Sequence, residues 1–167
     1  MISFEEKMRE LVGLMPDLVT DSGSFPIRYD WGTIDVLNKF LITKENVSKY
    51  PLIWLVTDSR EQDRIRNTVS SKARFILATR SVNVDEFNEF QYKNDYAKVL
   101  NPVYDNFIKL LERSTISTIL SEKHECEIVP NYSFDKNKDG LITIWNALVI
   151  DIEVKIDANK CINNVKF

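Results

Sequence analysis

Oxygen-bearing side chains at alternate positions followed by a glycine are a compact way to encircle calcium, and Asp135, Asn137, Asp139 and Gly140, with Ile142 two residues on, have that spacing. The match ends at the twelfth position. Asn146 stands where a bidentate Glu is needed, Pro130 interrupts any entering helix, and the residues after Gly140 alternate like a strand. A turn rich in Asn, Asp and Gly between two strands accounts for the same residues, because these types tolerate positive φ. The segment from Asp135 to Gly140 is therefore read as a hairpin turn rather than a calcium loop.

Nucleophile and metal chemistry have few other places to start. His124 is the only histidine, so metal sites needing two are excluded, and its neighbour Cys126 has no third group in sequence to orient it. The other cysteine, Cys161, stands apart and forms no C-x-x-C pair. Carboxylates suited to a small metal-dependent nuclease or other hydrolase are Asp30, Asp58 and Glu61, at the ends of expected middle strands. They lie in or near a run of mixed charge, which is more often a solvated loop than a catalytic set. With 4 glycines in 167 residues there is neither a G-x-G-x-x-G nor a G-x-x-x-x-G-K-[ST] loop to cradle phosphate. No cofactor and no metal are expected. No basic patch interleaves with the aromatic residues Phe87, Phe90, Tyr92, Tyr96 and Tyr104, so they read as core or subunit contact rather than as a base-stacking platform.

Any such residues must be positioned by elements that the apolar pattern reveals. Ser3 and Glu6 form a capping box before Phe4, Met8, Leu11, Val12 and Met15, an amphipathic helix that ends at Pro16. Residues 26–31 read as a strand, and residues 51–57 as a second one apolar on both faces, hence central in a sheet. Residues 72–80 make a third strand, with Ala73, Phe75 and Leu77 on one face. A helix runs from Pro102 to Arg113 with Asn101 as its cap. Residues 125–134 and 142–156 complete the list as a strand pair, the last being the most regular alternation in the chain. The order α-β-β-β-α-β-β, with short connections, predicts an α+β fold: a mainly antiparallel sheet with two helices packed on one face. At 167 residues, a single domain spanning 1–167 is expected, with long loops near 33–49, 58–70 and 82–94.

Composition narrows the partners. Twenty-two basic against 25 acidic residues give a net charge of −3, which disfavours specific nucleic-acid binding. No apolar run is long enough to span a membrane, and the charged amphipathic N-terminal stretch does not have the form of a signal peptide.

Tyr50 to Leu55 (YPLIWL) as a central strand, Ala73 to Thr79 (ARFILAT) as the next, the helix VLNPVYDNFIKLLERS and the final strand ALVIDIEVKI follow an order that resembles the tail completion or tail terminator family of tailed bacteriophages. The likeness covers most of residues 1–156. It implies a small α+β virion structural protein without catalysis, forming a homo-oligomeric ring at the head-to-tail joint or tail end. Copies of itself and neighbouring connector or tail proteins would be its partners. The virion, and the host cytoplasm during assembly, would be its location. An acidic subunit suits a channel that lets DNA pass without gripping its phosphates. The polar stretch 58–70 is then expected to project from the sheet edge as an assembly loop, with Arg60, Arg64 and Arg66 pairing with carboxylates across an interface.

Overall fold

A computed structural model of the chain describes residues 3–43, 50–57, 59–81, 88–136, 142–163 and 165–167. The fold is α+β. Helix α1 (Phe4–Val12) is capped as expected, the Ser3 side chain accepting from the Glu6 N–H. The strands are β1 (Leu18–Thr20), β2 (Gly23–Phe25), β3 (Arg28–Gly32), β4 (Leu52–Val56), β5 (Glu61–Asp63), β6 (Thr68–Ser81), β7 (Ser117–Ile119), β8 (Glu125–Lys136) and β9 (Ile142–Asp157). Helix α2 (Ile34–Ile42) lies between β3 and β4. Between β6 and β7 come a helical turn α3 (Glu89–Gln91), a π-helical segment (Tyr92–Leu100) and α4 (Asn101–Arg113).

Seven strands form one sheet in the order β3-β4-β6-β9-β7, with β5 added beside β6 and β8 beside β9; β1 and β2 form a separate hairpin. The long antiparallel pair β6 and β9 is its spine, matched without a break from Thr68↔Asp157 to Ser81↔Ile144. All pairs in the sheet are antiparallel except β3 with β4, which is parallel. The sheet is therefore mixed. The reason is α2: a helix between two neighbouring strands returns the chain to the same end, so the second strand runs alongside the first.

Helices cover both faces, not one. On the first face α1, the π segment and α4 bury Phe4, Met8, Tyr96, Leu100 and Phe107 against Phe75, Leu77, Leu148, Ile150 and Ile152. On the second, Leu37 and Leu41 of α2 close over Leu52, Trp54, Ile76, Ala78, Trp145 and Ala147. The Trp145 indole donates to the Leu41 carbonyl at 3.0 Å, which satisfies its polar edge inside this second core.

The three long loops expected from sequence are partly structured. Residues 34–42 are α2, capped by the Thr33 hydroxyl. Residues 61–63 and 68–70 pair as the β5–β6 hairpin. From Glu89 onward the third stretch is helical. Residues 44–49, 58 and 82–87 lie outside the described residues. The helix expected to begin at Pro102 is continuous with the π segment before it. A proline has no N–H, so it fits where the wider i→i−5 ladder gives way to the i→i−4 ladder.

Candidate functional site

The acidic set considered for a hydrolase is not gathered by the fold. Asp30 sits on β3 opposite Trp54, which faces Ile76 of β6, whereas Glu61 on β5 faces Ser70 of β6. Six residues of β6 separate the two levels, about 20 Å at the usual strand rise. Each has a local setting instead. The Asp30 carboxylate accepts from the Trp31 N–H at 2.9 Å and lies 3.6 Å from Arg9, while Glu61 is exposed. Asp58 lies outside the described residues. Among the described residues no group of three or more His, Cys, Asp and Glu side chains is placed to hold a metal ion.

His124 gains a partner that its sequence neighbours do not reveal: its Nε2 is 2.6 Å from the hydroxyl of Tyr104, on α4. Partial desolvation pushes the pKa of the nearby Cys126 thiol up, although the residue is exposed, and this is the direction of an inert rather than a nucleophilic sulfur. Around the expected calcium loop, β8 and β9 pair as far as Lys136↔Ile142, leaving 137–141, outside the described residues, as their connection. Where an EF-hand needs its exiting helix, the chain has strand β9.

A buried carboxylate is the feature that sequence reasoning missed. Asp95, on the π segment, is 7% exposed and accepts from the Asn146 amide at 2.7 Å and from the Ser81 hydroxyl. Burial raises its pKa above the usual carboxylate range, against the two hydrogen bonds that lower it. Asn146 in turn accepts from the Asn131 N–H at 2.9 Å, where β8 bulges with a φ of 54°. One polar chain thus clasps the π segment to β9 and β8. Its signal in the sequence is Asn146 itself, an amide in the apolar parity of β9. Asp95 also borders a cavity of about 280 Å³ with Arg80, Lys98, Asn94 and Leu18.

The three arginines expected to act in assembly separate into two roles. Arg60 is turned inward: its guanidinium pairs with Glu5, lies 4.9 Å over the Phe4 ring and reaches the Ser71 hydroxyl at 3.4 Å. Burial works upward on the Glu5 carboxyl, yet its backbone hydrogen bond and Arg60 hold it below its ordinary value. This corrects the expectation for Arg60, which ties the hairpin to α1 within the subunit. Arg64 and Arg66, by contrast, stand exposed at the tip of the β5–β6 hairpin on either side of Ile65, which is 98% exposed.

That tip is built, not slack. The Asp63 carboxylate accepts from the N–H groups of Ile65 and Arg66, both at 3.0 Å, and these bonds with the Arg66 charge keep its pKa low. Asn67 takes a φ of 53°, a turn conformation that Asn tolerates. Asn159, just beyond β9, donates to the Arg66 carbonyl at 2.7 Å and accepts from the Asn67 amide at 3.1 Å, and the Ala158 N–H bonds the Asn67 carbonyl. The chain end of β9 is therefore a brace for the hairpin.

No protein-family model matches the chain, and no curated protein matches it. Function has to be read from the geometry.

Beside this hairpin the second face of the sheet changes character. Toward α2 it is apolar; toward the tip it carries Arg74 and Lys72 of β6 opposite Asp151 and Glu153 of β9. Arg74 grips Asp151 through two bonds of 2.7 Å, a fork that raises the Arg74 pKa further. No helix among the described residues is long and apolar enough to cross a membrane.

Proposed function

We propose that this protein is a non-catalytic virion structural protein, a subunit of the head-to-tail connector or tail terminator ring of a tailed bacteriophage through which DNA passes. The observation that carries the assembly reading is the braced β5–β6 tip. An isoleucine held out in water between two arginines gains nothing for the isolated fold, and its rigid support lowers the ordering cost of docking it on a partner. The resemblance of the sequence pattern to the tail completion or terminator family is what points to this particular assembly, and the net charge of −3 suits a channel wall that lets DNA slide. The roughly 20 Å between the levels of Asp30 and Glu61 weighs against the hydrolase alternative.

The test is electron microscopy of the purified protein and of virions containing a tagged copy. Rings in solution, and the tag on the tail axis between head and tail or at the tail end, are expected. A protein that stays monomeric at high concentration and is absent from the tail axis would overturn the reading. Divalent-metal-dependent DNA cleavage lost in Asp30→Ala or Glu61→Ala would restore the hydrolase.

A further inference from the structure

On the far side of the sheet from β5, the turn after β7 forms a hollow of about 260 Å³ lined by Ile119 and Leu120 together with Glu112, Ser121, Glu122 and His124. Leu120 is 46% exposed and Ile119 half-buried, so the hollow offers apolar surface to a visitor, and both carboxylates are exposed. This is the reverse of the hairpin tip. One presents an apolar side chain between two cations, the other a mainly polar hollow in which Ile119 and Leu120 are the apolar wall and Glu112 and Glu122 the anions.

We infer that the tip Arg64-Ile65-Arg66 of one copy docks in the hollow at Ile119 and Leu120 of the next, with Arg64 and Arg66 pairing with Glu112 and Glu122. A second copy of this chain is the occupant because each molecule carries both halves, an exposed isoleucine with two arginines at one place and an Ile119–Leu120 wall with two carboxylates at another. Pairing of a guanidinium with a carboxylate fixes orientation as well as adding attraction. Ile65 lies against Ile119 and Leu120 in the hollow and removes apolar surface of both partners from water.

The placement makes the contact head-to-tail. Strand β5 lies beside β6 and β7 beside β9, three strand spacings or about 14 Å apart across the sheet. Asn159 ties the tip to its own end of β9, so the tip does not fold across to its own hollow. Peg and socket therefore occupy different patches of one molecule, and such a contact repeats from copy to copy until it closes in a ring or runs on as a filament. The inference rests on the proposed ring for its biological setting, and names the interface that would build it.

Disulfide trapping tests it on the full chain. The exposed native cysteines are first removed as C126S/C161S, and I65C and L120C are introduced together or singly. Mild oxidation of the double variant should give a ladder of linked species. Mixing the two single variants should give linked dimers only, and each single variant alone should stay unlinked. R64E/R66E in the trapping background should lower the linked yield at least tenfold, and mixing it with a copy carrying E112R/E122R should restore most of it. Thermal unfolding of every variant checks that it is folded. Linkage of I65C to itself would show a tip-to-tip contact and overturn the inference. Rings seen by microscopy without any 65 to 120 linkage would overturn it while leaving the proposed ring standing. A protein that neither links nor associates in sedimentation at high concentration would overturn both.

Discussion

Asp95 is a carboxylate in an environment its type seldom occupies, 7% exposed. Carboxylates are seldom this buried unless a cation pairs with them, and the groups that bond this one, the Asn146 amide and the Ser81 hydroxyl, are neutral. Because its folded pKa is raised, the folded state holds the proton more tightly than the unfolded chain does. Its contribution is most favourable below the unfolded value and is lost as pH rises through the folded one. Replacing Asp95 by Asn removes that titration while keeping the shape, an acceptor for Asn146 and a donor that Ser81 can take. Asp95→Asn should therefore melt higher than the parent at pH 7, and the gap should narrow as pH is lowered toward the ordinary carboxylate range. A variant that melts lower at pH 7, or a gap independent of pH, would show that the Asp95 charge is favourable in the fold. At this scale the sequence was a partial guide. Asn146 was visible as an amide in an apolar parity, but its partner lies 51 residues away on another element, and no spacing rule joins them. Arg60 was likewise visible as a charge in a polar run, while its inward turn depends on Glu5 and Phe4 of α1.

Elements with a strong period were legible, and the ones that were missed had no period to read. Strand β9 and helix α1 follow their alternation and capping box closely, and α4 its apolar stripe. Helix α2 hid because Ile34, Val36 and Ile42 are exposed, so its apolar residues circle the helix instead of marking the face that Leu37 and Leu41 bury. Strands β1, β2 and β5, at three residues each, are too short for alternation to register. The β5–β6 hairpin shows the consequence: what reads as a polar projecting loop is a short ladder ending in a turn, held locally by Asp63 and braced by Asn159, which follows β9 and is distant in sequence. Asn159→Ala removes both side-chain bonds of that brace. Amide hydrogen exchange at Ile65, Arg66 and Asn67 should quicken by roughly tenfold or more, while global stability falls by about 1 kcal/mol, the usual net worth of such bonds. Unchanged exchange at the tip would mean that the Asp63 bonds alone hold it.

On the scale of the molecule, the missed helix and the missed parallel pair are one event. With α2 unread, β3 and β4 are joined by a loop and pair antiparallel in expectation; with α2 present, they pair in parallel and the helix covers the second face of the sheet. The α+β class survives because it depends on the long strands, and the number of covered faces changes because it depends on one short helix. Two apolar cores then lie on opposite sides of the same strands. Phe75 and Leu77 of β6 face the first, Ile76 and Ala78 the second, and β4 is divided between them in the same alternating way. A strand cannot leave one core without withdrawing its alternate side chains from the other, so the two should melt together. Leu37→Ala opens a hole in the second core and Phe107→Ala in the first, each costing about 2–5 kcal/mol by the usual large-to-small scale. Both variants should unfold in one transition, with far-ultraviolet dichroism and tryptophan fluorescence coinciding, because Trp54 and Trp145 report the second core and the helices of the first face carry much of the dichroism. A Leu37→Ala protein in which the tryptophan signal changes well before the helical signal would show instead that α2 and its core open as a separate unit.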